Sequence, residues 1–546
     1  MSRVLVIGLD AVTFDLIQPW ASEGLLPNFR RLMTNGAWGR LESTIPPVTA
    51  VAWNAFATGK NPGKCGVFDF VRREAGGYGI RVVNGGSRKT KPFWRLLDHH
   101  GLCAGVINMP MTYPPDHLEH GFIVSGFDAP GLTCDSVYPP HLKELLEQYA
   151  YVVHPTHTNL EDWRKSLFEV FEVQARAFWE LDRSQPWDCL TMVFMQLDIA
   201  QHLFWHEMET GDSPWGDVIK QLYRRADAFL GKVLSTLDSD TTLMVVSDHG
   251  AGPLKKAVSI NRWLLQEGYL VPRRQGVLKR AFNETLRKAL TLLNMHFAKC
   301  IKKRLKRSFA GFRGEVESYL VTAQIDWTKT KAFALGEYGG IYINLRGRED
   351  QGTVPPKEYD LLREKIAAQL LNLRDPDTDK AVIQQVYRRE KIYSGAYVEE
   401  APDLILDWDY AYDCRERVGT GHQDIFENEA TYIAFADYKK TGVHRRHGIF
   451  LMYGSPARPG YVEGARLMDI APTLLHLLGI PVPDDMDGHV LSDALEPDWL
   501  AQHPITYQAV KPDADAGLAL GYDKNEEAQI KERLRALGYL DSIAMR

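Results

Sequence analysis

The stretch LMVVSDHGAG, residues 243–252, decides the fold class of this chain. Four apolar residues lead directly into a polar cluster and glycines, which is the pattern of a buried strand that ends in a loop. Similar apolar runs occur at residues 4–8, 104–108, 190–195 and 448–453, and helical patterns occur at residues 160–181, 219–237 and 357–373. Strands that alternate with helices predict an α/β fold with a mostly parallel sheet. In such sheets, ligands bind beyond the carboxyl ends of the strands, where we place Asp248 and His249.

The composition is that of a soluble globular protein. The 546 residues are 45% hydrophobic and 25% charged, and this length predicts one large domain with a smaller one or a long insertion. The net charge of −6 argues against nucleic-acid binding. The first residues lack the apolar region of a signal peptide, no run reaches the roughly 18 apolar residues of a membrane span, and the cysteines are scattered. We therefore expect a cytoplasmic protein.

A basic segment interrupts the alternation of strands and helices. Residues 273–313 are rich in Lys and Arg, have Glu284 as their single acid, and carry apolar residues at helical spacing. This pattern predicts one or two basic amphipathic helices in an insertion at residues 266–319. The insertion could pack on the core, cover an anionic substrate as a lid, or make a weak contact with a membrane surface. Residues 501–546 predict a C-terminal helical tail that packs on the domain or on a second subunit of a homo-oligomer.

Acids and histidines cluster at the ends of the predicted strands. These side chains are Asp10, Asp198, His202, Asp248, His249, His444 and His447. If a helix begins near Asp198, the spacing of four residues places Asp198 and His202 on one face of it. The oxygen and nitrogen atoms of these side chains suit zinc, or other divalent metals such as manganese. Each residue alone is explained as well by a turn or a solvated surface, but their joint occurrence at one sheet edge indicates a metal site.

A hydroxyl group completes the candidate site. Thr49 follows a Pro-Pro-Val turn and opens an apolar stretch at residues 50–57 that predicts a helix. A threonine at a helix N-terminus has an exposed hydroxyl beside backbone N–H donors, which together can bind an anion. The sequence leaves open whether Thr49 is a nucleophile or a plain helix N-cap.

These motifs, taken together, resemble the type I phosphodiesterase/nucleotide pyrophosphatase family of the alkaline phosphatase superfamily. The family's pattern starts with a strand-end Asp and a Thr ahead of a Thr-Gly, here Asp10 and Thr49 before ATGKNPGKCG (residues 57–66). It continues with DIAQH (residues 198–202), SDHG (residues 247–250) and GVHRRHGIFLMYGSP (residues 442–456). The order agrees over residues 1–265 and 320–500. The resemblance implies a three-layer α/β sandwich with a central, mostly parallel sheet and a helical insertion.

The resemblance implies a site for two divalent metals, with zinc as the expected metal and manganese as the alternative. The implied ligands of one metal are Asp198, His202 and a late histidine, and those of the other are Asp10, Thr49, Asp248 and His249. His444 best matches the family's context for the late histidine, and His447 and His422 are the alternatives.

The resemblance also implies hydrolysis of a phosphate ester, with Thr49 as the nucleophile and a covalent phosphothreonine as the intermediate. Backbone N–H groups near Ala50 and the side chain of Asn54 or Lys60 are candidates for holding the non-bridging oxygens. We expect a small phosphodiester as the substrate. A phosphomonoesterase or phosphotransferase on the same core, and a non-catalytic relative that binds anions or membranes, are the alternatives.

Overall fold

The computed structural model describes residues 3–74, 76–154, 157, 159–211, 213–273, 325–415, 425–428, 439–510, 521–537 and 539. The predicted basic helices at residues 273–313, apart from Arg273, and the candidate ligand His422 therefore lie outside the described residues. None of the helices within these ranges is long and apolar enough to cross a membrane.

A nine-stranded sheet forms the centre of the fold. Its strands, in spatial order, are Gly460–Tyr461, Ala37–Glu42, His447–Tyr453, Thr241–Val246, Arg3–Leu9, Cys189–Phe194, Ala104–Ile107, Gly121–Val124 and Val137–Tyr138. The five strands from Thr241–Val246 to Gly121–Val124 are parallel to one another. This arrangement confirms the predicted α/β fold with a mostly parallel sheet.

One predicted strand runs in the other direction. The apolar run at residues 448–453 suggested a parallel strand, but His447–Tyr453 is antiparallel to both of its neighbours. The strand is almost completely buried. A strand buried on both faces reads as a continuous apolar run whichever way it points, so the pattern carries no information on direction.

Every residue of the strands Cys189–Phe194 and Thr241–Val246 is buried, which indicates that helices cover both faces of the sheet. In the part of the chain that the structure describes, the helices of six or more residues are Phe14–Ser22, Pro27–Asn35, Thr49–Thr58, Phe93–His99, Leu142–Gln148, Leu160–Ser184, Gln196–Thr210, Val218–Thr236, Ile260–Gln266, Tyr359–Leu371, Ile470–Leu477, Pro497–Gln502 and Lys524–Leu537. The helical patterns at residues 160–181, 219–237 and 357–373 each correspond to one of these helices, with ends that differ by at most three residues.

Smaller sheets lie beside the central one. An antiparallel sheet has the order Ala332–Leu335, Gly340–Ile343, Leu404–Trp408 and Ile383–Arg388. Gly250–Pro253 pairs with Gly442–Arg445, and Lys256–Ser259 pairs with Tyr412–Arg415 and Phe426–Asn428. Two short pairs are Val71–Arg73 with Ile80–Val82 and Val482–Pro483 with Tyr507–Gln508.

The helix Thr49–Thr58 packs directly against the central strand Arg3–Leu9. A Cβ atom on Gly8 would lie 2.6 Å from Cη2 of Trp53 and 2.9 Å from Cγ2 of Val193, so only glycine fits between them. This close approach holds the start of the helix near the carboxyl end of the strand.

Candidate active site

Three neighbouring strands place acids at one edge of the central sheet. Asp10 directly follows Arg3–Leu9, and the strands on either side of it are followed by Asp198 and Asp248. Parallel strands end at the same edge, so residues far apart in the sequence meet there. All three acids are completely buried.

A short antiparallel pair brings in the late histidine. His444 lies in Gly442–Arg445, opposite Ala251 in the strand that follows His249. Asp198 and His202 lie in the helix Gln196–Thr210, as the sequence spacing predicts. His202 and His444 therefore approach each other, with their Nε2 atoms 2.8 Å apart.

Asp198 faces both of these histidines. Its Oδ1 atom is 3.2 Å from Nε2 of His202 and 3.3 Å from Nε2 of His444. The three side chains form one group of candidate ligands.

His249 is the centre of the second group. Its Nε2 atom lies 3.2 Å from Oδ2 of Asp248, 3.7 Å from Oδ1 of Asp10 and 3.2 Å from the hydroxyl oxygen of Thr49. The ligand atoms of Asp10, Asp248 and His249 lie within 4.8 Å of one another, and so do those of Asp198, His249 and His444. His249 therefore connects the two ligand groups that the family resemblance implies.

The histidines are oriented by backbone carbonyl groups. Nδ1 of His202 donates to the Gly442 carbonyl at 2.8 Å, and Nδ1 of His444 donates to the Pro47 carbonyl at 3.0 Å. His249 makes the same contact with its neighbour Gly250 at 3.1 Å. A carbonyl only accepts, so each of these Nδ1 atoms carries a hydrogen and each Nε2 atom faces the cluster. This is the orientation of metal-binding histidines.

The carboxylates have free oxygen atoms that suit a cation. Oδ1 of Asp10, Oδ1 of Asp198 and Oδ2 of Asp248 are buried and have no hydrogen-bond partner among the described residues. A buried ionised oxygen without a partner is costly, and a bound cation would remove that cost. The donor set of carboxylate oxygens and imidazole nitrogens fits divalent zinc or manganese.

The electrostatics of the cluster also favour a bound cation. Burial, followed by repulsion from Asp248, raises the pKa of Asp10 well above its usual range, and burial also raises the pKa of Asp248. Burial lowers the pKa of His249, and it lowers the pKa of His444 to about 4, so both rings are neutral at pH 7. Burial acts to raise the pKa of Asp198, but attraction to His202 and the close contacts of both histidines hold it well below the usual range. The carboxylates of Asp10 and Asp248 repel each other, and a bound cation would relieve that repulsion.

Thr49 differs from its expected role in two respects. Val48 is the N-cap and Thr49 is the first residue of the helix, so the plain N-cap interpretation is wrong. The hydroxyl is not exposed either, because Thr49 is completely buried beneath the surrounding elements. Its oxygen faces Nε2 of His249, which places the hydroxyl against the candidate ligands.

The two candidate phosphate-binding side chains lie differently. Asn54 is buried on the same helix, where its amide donates to the Ala50 carbonyl at 2.6 Å and accepts from Nη1 of Arg88 at 3.2 Å. Lys60 lies beyond the far end of the helix, which is about 15 Å long, and forms an ion pair with Asp485. The structure does not bring Lys60 together with Thr49.

His447 also lies apart from the cluster. It begins the strand His447–Tyr453 opposite Glu42, and its charged neighbours are Glu42, Arg40, Arg446 and Asp15. Of the two described candidates for the late histidine, His444 is the one beside Asp198.

Several residues of the site carry no signal in the sequence. Trp53 donates from Nε1 to Oδ2 of Asp10 at 2.8 Å, and the phenol of Tyr539 donates to Oδ2 of Asp198. Buried Glu337 has an oxygen 3.9 Å from Nδ1 of His444, and Lys440 lies 3.6 Å from the same oxygen. The helical pattern before Tyr539 predicts a helix, but it does not predict which part of the protein that helix packs against.

A cavity of about 150 Å³ borders the cluster on the His444 side. Pro47, Tyr338, His444 and Arg445 belong to its lining, together with other aromatic and charged side chains. Arg445 donates to the backbone carbonyls of His444 and Pro253. Of the candidate ligands in the cluster, His444 is the one that lines this cavity, and Pro47 in the lining precedes Thr49 by two residues.

The family model for type I phosphodiesterase/nucleotide pyrophosphatase matches residues 4–449, which include every candidate ligand. The chain belongs to this family. The matched region contains both groups of candidate ligands at the sheet edge.

Other proteins share the fold or short segments with this family member. Phosphonoacetate hydrolase from Sinorhizobium meliloti 1021, solved with phosphonoacetate, is 13% identical, with a TM-score of 0.54 over 86% of this chain and 94% of that one. Two 2,3-bisphosphoglycerate-independent phosphoglycerate mutases match locally. The enzyme from Laribacter hongkongensis is 60% identical over 40 residues and that from Acinetobacter baylyi 36% over 74, or 7% and 13% of this chain. These matches span only 8% and 14% of the length of the two mutases.

Proposed function

We propose that this chain hydrolyses small phosphate esters, above all phosphodiesters, through a covalent intermediate on Thr49. The observation that carries the proposal is the position of the Thr49 hydroxyl, 3.2 Å from His249 at the junction of two groups of candidate metal ligands. Family membership supports phosphoester hydrolysis as the reaction class.

The residues suit a centre for two divalent cations. Asp198, His202 and His444 would hold one cation, and Asp10, Thr49, Asp248 and His249 would hold the other. Zinc is the metal we propose, with manganese as the alternative. Divalent cations bound there would neutralise the phosphate and favour loss of the Thr49 proton.

Thr49 performs the bond-making step in this proposal. Its oxygen attacks phosphorus in line with the leaving oxygen, the bond from phosphorus to that oxygen breaks, and a phosphothreonine forms. Water then attacks the phosphothreonine from the side opposite Thr49, and the bond from phosphorus to the Thr49 oxygen breaks. The released product is a phosphomonoester when the substrate is a diester, and inorganic phosphate when it is a monoester. Two in-line displacements leave the configuration at phosphorus unchanged.

The protein supplies position as well as a nucleophile. Gly8 and Trp53 hold the Thr49 helix against the central strand, so the hydroxyl has a fixed place relative to Asp10. Such fixed positioning lowers the entropic part of the barrier. The cavity lined by His444 and Arg445 is the proposed route for the substrate, and its arginine can attract an anionic ester.

Transfer of the phosphoryl group to an alcohol is a second candidate function. The local matches to phosphoglycerate mutases favour it, because those proteins carry the name of a phosphoryl-rearranging enzyme. Turnover in the presence of glycerol would separate the two functions. With p-nitrophenyl phosphate as the phosphoryl donor, glycerol phosphate as the main product indicates transfer, and inorganic phosphate as the main product indicates hydrolysis.

The first test compares the wild type with Thr49→Ala. The assay measures zinc and manganese per chain and the hydrolysis of bis-p-nitrophenyl phosphate and p-nitrophenyl phosphate. We expect about two ions per chain in the wild type and a loss of about 10³-fold or more in turnover in the variant. Thr58→Ala is the matched control, since Thr58 is a buried threonine at the other end of the same helix. Its turnover should stay within a few-fold of the wild type.

Either of two results contradicts the proposal. If the wild type binds no divalent metal, the proposed metal centre is wrong. If Thr49→Ala keeps full activity, the assignment of Thr49 as the nucleophile is wrong. The ratio of the two substrate rates assigns the enzyme as a diesterase or a monoesterase.

A further inference from the structure

The C-terminal helix Lys524–Leu537 is bound to the core near the candidate active site. Nη1 of Arg533 donates to the backbone carbonyls of Phe127 and Ala129, the latter at 2.7 Å. The hydroxyl of Tyr522, just before the helix, donates to the carbonyl of Asp128 at 2.7 Å. All three acceptors belong to the loop after the strand Gly121–Val124.

Tyr539 follows this helix and reaches the metal centre. Its backbone N–H donates to the Leu534 carbonyl at 2.9 Å, and the residue is 1% exposed. Its ring stacks on Phe70 with centroids 5.1 Å apart, and it meets the ring of His202 edge-on at 5.4 Å. The ring is thus held between the core and a candidate metal ligand.

The two carboxylate oxygens of Asp198 make different contacts, and the phenol of Tyr539 binds one of them. Oδ2 accepts the hydrogen bond from Tyr539, whereas Oδ1 faces the histidines and has no hydrogen-bond partner among the described residues. One oxygen is therefore fixed by the protein and the other is available for a cation. His202 and His444 have the same arrangement, with Nδ1 fixed by a carbonyl and Nε2 available.

We propose that Tyr539 is a positioning residue of the active centre, which fixes the Asp198 carboxylate for the cation held with His202 and His444. The C-terminal segment is then a part of the metal site and not only a packing element. Partners of this kind orient metal ligands, and their removal typically weakens metal affinity by roughly 10–100-fold. The inference rests on the metal centre of the proposed function.

The test compares the full-length wild type with Tyr539→Phe. Zinc affinity is measured by competition with a chelator, and the melting temperature of the metal-free protein is measured alongside. We expect the affinity for one zinc ion to fall by about tenfold or more, the affinity for the other to change less than twofold, and the metal-free melting temperature to stay nearly unchanged.

Tyr522→Phe is the matched control, because it removes a phenol hydrogen bond of the same segment whose acceptor is the Asp128 carbonyl and not a candidate ligand. It should leave both zinc affinities within twofold of the wild type. Unchanged zinc affinity in Tyr539→Phe overturns the inference, and so does an equal loss in Tyr522→Phe, which would assign the effect to docking of the segment. A rise in turnover with unchanged affinity also overturns it, since Tyr539 would then block the substrate.

The result also separates this inference from the function proposed above. A wild type that binds no zinc contradicts the metal centre and the inference together. A wild type that binds two zinc ions, with Tyr539→Phe unaffected, contradicts the role of Tyr539 alone.

Discussion

Histidines buried beside carboxylates set the chemistry at the scale of single residues. Burial lowers the pKa of His444 and of His249, so their rings stay neutral and keep a lone pair on Nε2. The same burial raises the pKa of Asp10, and repulsion from Asp248 raises it further. These opposite shifts have one cause, the loss of water around charged groups, and a bound cation would reverse their effect on the acids.

His444 should give the metal-free protein a measurable dependence of stability on pH. The pKa of His444 is about 4 in the folded protein, against 6.5 for a solvated histidine, so the unfolded chain binds the proton more readily. Stability contributed by neutral His444 is therefore full above pH 6.5 and is lost as the pH falls toward 4, by at most about 3 kcal/mol. Urea unfolding of metal-free wild type and His444→Asn at about pH 4.5 and about pH 7 checks this.

The difference in unfolding free energy between the two pH values should be smaller in His444→Asn than in the wild type. His206→Asn is the control, because His206 is exposed one turn after His202 on the helix Gln196–Thr210. Equal pH dependence in the wild type and His444→Asn would show that His444 does not carry the effect.

At the scale of elements, a close backbone approach joins two parts of the site. A Cβ atom on Gly442 would lie 2.2 Å from the carbonyl oxygen of Gln201. The strand Gly442–Arg445 can therefore approach the helix Gln196–Thr210 only because residue 442 is glycine. This approach also places the Gly442 carbonyl 2.8 Å from Nδ1 of His202.

Gly442→Ala should separate His444 from Asp198. The new methyl group meets backbone that cannot move aside, so we expect a loss of about 1–3 kcal/mol in stability together with weaker zinc binding. Gly131→Ala is the control, because nothing lies within 4 Å of a Cβ atom at Gly131. Thermal unfolding and chelator competition measure the two effects. Wild-type zinc affinity in Gly442→Ala would show that the strand and helix need not approach so closely.

At the scale of the whole molecule, the central sheet brings three buried acidic side chains together at one edge. Three neighbouring parallel strands are followed by Asp10, Asp198 and Asp248, all completely buried. Without a cation the folded state holds repelling carboxylates, a cost that the unfolded chain does not have. Divalent cations that bind the folded state should therefore stabilise the entire fold.

Removal of metal should lower the melting temperature of the protein. Each occupied site stabilises the folded state by about 2.7 kcal/mol when free metal is about a hundred times the dissociation constant. We expect a chelator to lower the melting temperature, added zinc to restore it, and Asp248→Asn to reduce the difference. Asp493→Asn, which changes an exposed acid, should behave as the wild type. A melting temperature that does not change when the chelator is added would contradict a metal centre in the core.

Most of the local structure and the candidate ligands could be predicted from the sequence. Contacts between segments that are distant in the sequence could not. The strand at residues 243–246 and the pair Asp248 and His249 are local patterns, and both lie in the structure where such patterns place them. The direction of His447–Tyr453 could not be predicted, because burial erases the difference between parallel and antiparallel strands. Lys60 looked close to Thr49 along the chain, but a ten-residue helix separates the two.

The sequence by itself determined the α/β alternation, the acids and histidines at the strand ends, and the family, because these depend on short-range periodicity and motif order. Only the tertiary structure decided that His249 joins both ligand groups, that Thr49 is buried, and that Tyr539 meets Asp198. Tyr539 and Asp198 are 341 positions apart. Their contact depends on how the sheet, the Asp198 helix and the C-terminal helix pack together, and packing of distant elements leaves no periodic trace in a single chain.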